Sequence, residues 1–152
     1  MNAKGFVSDF QIVGSRIVDL SIKNDFILMG RTAGQKKSLD VSHEIIEVEH
    51  AQNEDSLRGV LRLTVAVVVS EGKEKFRLKM TIEGCFLSNA ETDEEHFRKM
   101  LVLNGITALY GIARAQIVAI SSQAFVDGSV MLPMVNVAKY SRAVTQAENK
   151  KE

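Results

Sequence analysis

The sequence is poor in the residues that disulfides, rigid linkers and nucleic-acid contacts need. It has one cysteine, one proline and no tryptophan among its 152 residues. Cys85 alone cannot form an internal disulfide, which favours a reducing compartment. Lys plus Arg and Asp plus Glu number 19 each, so no excess of positive charge would attract nucleic acid. We therefore predict that nucleic acid is not a partner.

Signals for secretion or membrane insertion are also lacking. Residues 1–5 have no apolar stretch followed by a small-residue cleavage site, which predicts a cytoplasmic location. From Met100 to Phe125 the only charge is Arg114, and about 20 apolar residues are enough to cross a bilayer. Polar residues such as Asn104 and Gln116 interrupt this stretch, however. It therefore predicts a helix that protein buries on more than one side, with no membrane insertion.

Apolar and polar residues alternate with a period of two over the first two-thirds of the chain. The alternation is clearest at 60–70 and 76–86, with a short turn between them. Earlier strands are predicted within 10–22, with Gly14 as a candidate bulge, and at 41–50. Four such strands predict an antiparallel sheet with one polar face and one apolar face that must be covered.

A long helix and a short C-terminal helix are predicted after the strands. Thr92 or Asp93 can cap a helix that runs from about Glu94 to about Ser122. Its larger apolar residues would cover the sheet, and a second face would pack against another copy of the chain. The residues predicted at that oligomer interface are Gly105, Ala108, Ile112, Ala115 and Ala119. The sequence thus predicts one α+β domain, with an ordered core at about 8–141 and a polar tail at 142–152.

Side chains that could carry catalysis do not converge. His43 and His50 lie seven residues apart, which predicts that they occupy opposite faces of a strand. Local spacing fixes no lysine or histidine beside Cys85, and the sequence has neither a phosphate-binding loop nor a dinucleotide fingerprint. We predict no catalytic residue, no metal and no cofactor. A small-molecule site between sheet and helix is the alternative from another functional class.

Apolar side chains occur where connections are expected. The long connection at 24–40 begins with Phe26, Ile27, Leu28 and Met29, and Met131 and Met134 follow the long helix. Methionine is flexible and polarizable, which suits surfaces that bind varied partners. These side chains either bind another molecule or fill gaps beneath the connections, and both interpretations stay open.

Three motifs occur in an order that is typical of a known family. The stretch LRLTV at 61–65 is similar to that family's central strand, and LYGIAR at 109–114 stands where the family usually has Leu-Phe-Pro-Tyr-Ala-Arg. The stretch LPMVNV at 132–137 resembles the family's Leu-Pro-Pro-Val-Asn-Phe. Together with the order of the elements over about residues 8–140, these motifs resemble the SecB family of export chaperones.

The resemblance implies a SecB-like fold and a protein that binds other polypeptides. The expected function is that of an ATP-independent chaperone for unfolded polypeptide clients, assembled as a homotetramer from a dimer of dimers. A chaperone dedicated to one client, such as a toxin–antitoxin component, is the alternative. The resemblance also implies an apolar groove formed by the connection after strand one, strand two and the second helix. The groove residues would be Phe26, Ile27, Leu28, Met29, Val41, Ile45, Met131, Met134, Val137 and Tyr140.

One feature of the family is altered in this sequence. The family docks on the export motor SecA through an acidic patch on the outer faces of strands one and four. The corresponding positions here are Asp19, Lys23 and Lys79, and two of the three carry the opposite sign. Like charges are strongly disfavoured at a charge-complementary interface. The resemblance therefore implies SecA as a partner, whereas these residues argue against it.

Overall fold

The chain folds as a four-stranded antiparallel sheet followed by helices. The computed structural model describes residues 8–27, 34–52, 56–89, 91–125 and 128–148, with the backbone alone at 144, 145, 147 and 148. The strands are β1 (Gln11–Asn24), β2 (Lys36–His50), β3 (Leu57–Glu71) and β4 (Glu74–Leu87). The helices are α1 (Glu94–Met100), α2 (Ile106–Ala124) and α3 (Val137–Glu148). This architecture confirms the α+β fold class.

The strand order is β1-β4-β3-β2, and every neighbouring pair is antiparallel. The hairpin β3–β4 occupies the centre of the sheet, and β1 and β2 form its edges. The chain between β1 and β2 therefore has to pass from one edge of the sheet to the other. Because β2 begins at Lys36, this connection is shorter than the predicted 24–40.

One long helical segment covers the inner face of the sheet. Asp93 caps α1, because its side chain accepts a hydrogen bond from the backbone N–H of His96. A π-helical turn at Leu101–Gly105 joins α1 to α2, so the helical segment is continuous from Glu94 to Ala124. By length and composition this segment could cross a membrane, a test that the core helices of soluble proteins also pass. Its large apolar residues Leu109 and Ile117 are instead buried in the core.

The alternation along β3 and β4 builds that core. The odd residues from Leu61 to Val69 and the even residues from Phe76 to Ile82 are buried, and their neighbours on the other face are more exposed. Aromatic pairs close both ends of the core. Phe10 stacks on Phe86 with ring centroids 5.1 Å apart, and Phe76 meets Phe125 at 4.7 Å.

Glycines, among them Gly84 and Gly105, allow the helical segment to lie close to the sheet. A Cβ at Gly84 would lie 2.7 Å from Leu109 Cδ2, and a Cβ at Gly105 would lie 2.9 Å from Leu61 Cδ2. The placement of Gly105 corrects one prediction. This residue is buried against the chain's own sheet, so it does not contribute to a surface for a second copy.

The edge strand β1 is left uncovered. All 14 of its residues are exposed. Ile12, Ile17, Leu20 and Ile22 pair with buried residues of β4 and so point to the helix side, yet they remain 38–41% exposed. The register shifts between Ile12 and Gly14 and again between Ile17 and Asp19, so one bulge lies at the predicted Gly14 and a second, at Val18, was not predicted. The predicted cover of the inner face therefore stops before this edge.

A row of four charges crosses the outer face of the sheet. Arg16, Glu83, Arg62 and Glu44 come from β1, β4, β3 and β2 and lie directly opposite one another in register. Arg16 Nε and Nη2 donate to Glu83 Oε2 at 3.0 and 2.8 Å, and Arg62 Nε and Nη2 donate to Oε1 at 3.0 and 2.6 Å. These hydrogen bonds, that of Arg16 first, hold the pKa of the Glu83 carboxyl below its ordinary value of 4.5, although burial acts the other way.

Helix α3 runs past residue 141, where the ordered core was predicted to end. It continues to Glu148, so much of the predicted polar tail is helical. Residues 149–152 lie outside the described part of the chain.

Candidate functional site

A groove of about 540 Å³ lies between α2 and the segment 128–137 that leads into α3. We call this segment the exit segment and the space the α2 groove. Most of its lining is apolar. The lining residues are Thr107, Tyr110, Gly111, Arg114, Ala115 and Val118 from α2, and Met131, Met134, Val135 and Val137 from the exit segment and the start of α3.

Two side chains of α2 hold the exit segment in place. Arg114 Nε donates to the carbonyl oxygen of Leu132 at 2.8 Å, and the Tyr110 hydroxyl donates to the carbonyl oxygen of Pro133 at 2.7 Å. Leu132 itself is buried in the core, which fixes the segment from below. Burial raises the pKa of Tyr110, with nearby Arg114 acting in the opposite direction, so the hydroxyl stays protonated as a donor at neutral pH. Hydrogen bonds to two successive carbonyl oxygens thus hold the exit segment, which forms the outer wall of the groove, on α2.

The methionines of that wall face the solvent. Met131 is 55% and Met134 is 80% exposed. Arg114 Nη1 lies 3.0 Å from Met134 Sδ, and Nη2 lies 3.5 Å from Met131 Sδ. The hydroxyl of Thr107 donates to the carbonyl oxygen of Leu103 at 2.6 Å and is therefore satisfied within α2. The groove offers flexible apolar contacts with few free polar groups, which suits apolar side chains of a ligand.

The structure brings three of the predicted groove residues together. Met131, Met134 and Val137 line the α2 groove. Val41 and Ile45 are half-buried on β2, where they pair with the buried residues Val65 and Leu61 and pack against the core. They do not belong to the lining of the α2 groove.

Tyr140 attaches α3 to β2. Its hydroxyl lies 2.9 Å from Nδ1 of His43, and the two rings meet edge to face with centroids 5.5 Å apart. The prediction that His43 and His50 occupy opposite faces is wrong. The register shift between Ile45 and Glu47 adds one residue, so both histidines pair with residues of the buried face, Leu63 and Leu57.

The connection after β1 was predicted to supply Phe26, Ile27, Leu28 and Met29 to the groove, and the structure places Phe26 elsewhere. Phe26 is buried in the core and its backbone N–H donates to Asn24 Oδ1 at 3.0 Å, so this side chain fills a gap and is not a free binding surface. Ile27, by contrast, is 88% exposed. The predicted residues Leu28 and Met29 lie outside the described part of the chain.

The remaining predicted surface residues divide between two places. Asp19, Lys23 and Lys79 are exposed on the outer face of β1 and β4, where Lys23 pairs with Arg77. Ala115 and Ala119 are exposed on α2, whereas Ala108 and Ile112 are half-buried against the core. Only part of the predicted interface on α2 is therefore available to another molecule.

Tyr110, Arg114 and Val118 were not predicted to take part in the site. Arg114 is the one charge between Met100 and Phe125, and an isolated charge in an apolar helix needs a partner. That signal was present in the sequence. The partner itself, a backbone carbonyl 18 residues away, could not be identified from local spacing.

Comparisons with known proteins bear on the fold. No family model and no curated protein matches the chain. The structure is similar to the SecB-like chaperone Rv1957 of Mycobacterium tuberculosis, solved in complex with a ChAD peptide from the Rv1956 HigA1 antitoxin. The TM-score is 0.65 at 14% identity, and the match covers 84% of this chain and 91% of that chain.

A protein of unknown function from Streptococcus agalactiae aligns with a TM-score of 0.47 and 9% identity, over 82% of this chain and 97% of that one. The likeness to the mycobacterial chaperone shows that the fold is SecB-like. This agrees with the fold that the sequence motifs predicted.

Proposed function

We propose that this protein is a chaperone that binds extended, apolar segments of unfolded polypeptides in the α2 groove, without ATP. The observation that carries the proposal is the groove itself, which is lined largely by apolar side chains and ends in two exposed methionines. A folded protein seldom leaves large apolar side chains in one exposed cleft unless they bind another molecule.

The SecB-like fold supports this proposal. The mycobacterial chaperone of that fold was solved with a peptide from an antitoxin, which is a polypeptide ligand of that protein. In our proposal the present chain also takes a polypeptide, with apolar client side chains contacting Val118, Val135 and Val137. Met131 and Met134 would adjust to side chains of different shape, which lowers the demand on client sequence.

Suppression of aggregation tests the proposal. A chemically denatured, aggregation-prone protein is diluted into buffer with increasing amounts of this chain, without nucleotide, and light scattering is followed. We expect scattering to fall in proportion to the added chain and to reach a minimum near a stoichiometric ratio. Unchanged scattering at a severalfold excess would rule out a general holding activity.

A chaperone dedicated to one client is the second candidate, because the mycobacterial protein was solved with a peptide from one particular antitoxin. The two candidates predict different captures from an extract of the source cells. Capture of many different unfolded precursors supports a general chaperone. A single dominant protein, recovered in constant stoichiometry, supports the dedicated one.

The outer face of the sheet weighs against SecA as the docking partner. Lys23 and Lys79 lie on the outer face of β1 and β4 at positions where the resemblance implies acidic residues, and the nearby Arg77 is paired with Asp25 at 3.5 Å. In our proposal this face does not serve a contact that depends on acidic residues. Purified SecA should show no saturable binding to this chain in a titration.

We further propose that the chain forms a homo-oligomer. Among the described residues β1 pairs on one side only, with β4, so its other edge presents backbone groups together with Ile12, Ile17, Leu20 and Ile22. Pairing of two β1 strands about a two-fold axis would cover them, and Ala119 on α2, which is exposed and outside the lining of the α2 groove, would let two such dimers approach. The expected species in sedimentation is a tetramer, which Ala119→Glu converts to dimers. A wild-type monomer at micromolar concentration would contradict this assembly.

A further inference from the structure

Met131 and Met134 share one cation. Both thioether sulfurs lie on the Arg114 guanidinium, Met134 Sδ 3.0 Å from Nη1 and Met131 Sδ 3.5 Å from Nη2. The third donor, Nε, is already used by the carbonyl oxygen of Leu132. A thioether is only a weak hydrogen-bond acceptor, so two of the strongest donors in the groove face weak partners.

The side chains of Met131 and Met134 are more exposed than those of the other described methionines. Met131 and Met134 are 55% and 80% exposed, whereas Met80 is 0% exposed and Met100 is half-buried against the core. Oxidation of methionine depends on access, so the two groove methionines should react first among these four. Oxidation there would change the lining of the α2 groove directly.

We propose that Met131 and Met134 form an oxidation site at which a peroxide inactivates the groove. Each thioether sulfur gives two electrons to the peroxide, the O–O bond breaks, one oxygen atom is transferred to sulfur, and the other leaves as water. The product is a sulfoxide, whose oxygen is a strong acceptor. The inference rests on the proposed function, since it concerns the regulation of that same groove.

Arg114 would bind the new oxygen. A guanidinium donates to an oxygen acceptor much more strongly than to a thioether, and both sulfurs are already within reach of separate Nη groups. The exit segment would thus gain a polar, more rigid wall in place of a flexible apolar one. Client side chains would then meet polar groups already paired with Arg114, and apolar binding would weaken.

The first experiment measures the order of oxidation and its effect on binding. The full-length chain is treated with hydrogen peroxide, and peptide mass spectrometry follows each methionine. Binding of a fluorescent, permanently unfolded apolar polypeptide is measured before and after treatment. We expect Met134 and Met131 to be oxidised before Met100 and Met80, with affinity falling at least about tenfold, and treatment with both methionine sulfoxide reductases to restore it.

Variants separate the two methionines from other damage. The double variant Met131→Leu/Met134→Leu has no sulfur at these two positions, so its affinity, compared before and after treatment, should not change with peroxide. Met100→Leu is the matched control and should lose affinity on oxidation as the wild type does. The double variant Met131→Gln/Met134→Gln places polar acceptors beside Arg114 and should bind weakly without any oxidant.

The outcomes distinguish the inference from the function on which it rests. If the oxidised wild type binds as tightly as the untreated protein, or if the leucine variant loses affinity equally, the oxidation site is overturned and the chaperone proposal stands. If the untreated protein does not bind the unfolded polypeptide, both fall. Hydrogen exchange at 131–137 tests the contact with Arg114 separately, because protection should rise on oxidation in the wild type and in Met100→Leu but not in the leucine double variant.

Discussion

The two sides of α2 show how one helix can both complete a fold and leave a surface for binding. On the sheet side, Leu109, Ala113 and Ile117 have no exposed surface. On the groove side, Arg114 and Val118 are half-buried and face a segment that two hydrogen bonds hold. On the sheet side, close packing leaves no room for another molecule. On the groove side, two hydrogen bonds position the exit segment and leave a groove between it and α2. Stability and binding should therefore respond to different substitutions on the same helix.

The largest expected effect is on the closed side. Leu109→Ala removes a fully buried side chain that packs against Gly84, and should lower the free energy of unfolding by about 2–5 kcal/mol. Urea unfolding followed by circular dichroism measures this loss. Val118→Ala is the matched change on the groove side and should cost clearly less, because Val118 is only half-buried. Equal losses in the two variants would contradict the distinction.

The fold was well predicted because the sheet side follows simple periodicity. The alternating residues of β3 and β4 can pack only with one face inward, and helix α2 supplies the matching apolar face. Where periodicity failed, an inserted residue was the cause. The bulge after Ile45 moved His50 to the face of His43, and the shift at Val18 was not apparent from the alternation.

The candidate site was predicted only in part, because its contacts join distant segments. Met131 and Met134 stood out as apolar residues in an expected connection, and both line the groove. The role of Tyr110 and Arg114 depends on carbonyls of the exit segment, and a carbonyl has no residue-specific signature in a sequence. Phe26 showed the same apolar signal as the methionines but is buried in the core. Burial of a connection depends on tertiary packing, which local sequence does not specify.

The next effect concerns the outer face of the sheet, which should support stability alone. Glu83→Gln weakens four hydrogen bonds from Arg16 and Arg62 and should cost about 1–3 kcal/mol at neutral pH. The pKa of Glu83 is lower in the folded state than its ordinary value of 4.5. Its contribution is therefore complete above pH 4.5 and is lost as pH falls through the lower, folded-state pKa.

Denaturant unfolding of wild type and Glu83→Gln at a series of pH values checks this prediction. The difference in stability should shrink on acidification. Glu44→Gln is the control, since Glu44 lies at the exposed end of the same row and should contribute less than about 1 kcal/mol. A gap between wild type and Glu83→Gln that stays constant down to pH 2 would show that the carboxylate charge is not the cause. Client binding should be unchanged in both variants.

The third effect is on binding without a comparable effect on folding. Val118→Asp places a charge in the apolar lining of the α2 groove and should weaken binding of an apolar unfolded polypeptide at least about tenfold, or about 1.4 kcal/mol. Ser122→Asp puts the same charge on an exposed position of the same helix, outside the lining, and should leave affinity unchanged. Fluorescence anisotropy measures both. Loss of binding in the serine variant alone would place the client elsewhere on α2.

The smallest effects come from two tyrosines that make similar hydrogen bonds between different pairs of elements, α2 with the exit segment and α3 with β2. The Tyr110 hydroxyl holds the carbonyl of Pro133 at 2.7 Å, and the Tyr140 hydroxyl meets Nδ1 of His43 at 2.9 Å. Replacing either tyrosine by phenylalanine keeps the ring and removes one hydrogen bond, so each should cost about 0.5–1.5 kcal/mol of stability.

The consequences for binding should nevertheless differ. Tyr110→Phe removes one of the two hydrogen bonds that hold the exit segment on α2. Hydrogen exchange should therefore rise at 131–135, and client affinity should change. Tyr140→Phe loosens α3 on β2, where the edge-to-face contact with His43 remains, so exchange should rise within α3 and affinity should hold. The two variants lose the same chemical group at similar cost in stability. A difference in their affinities for the client would therefore come from where each hydrogen bond lies, and not from a difference in stability. Equal affinities would mean that the groove wall does not need the Tyr110 hydrogen bond, and that the Arg114 hydrogen bond and the burial of Leu132 are enough to hold it.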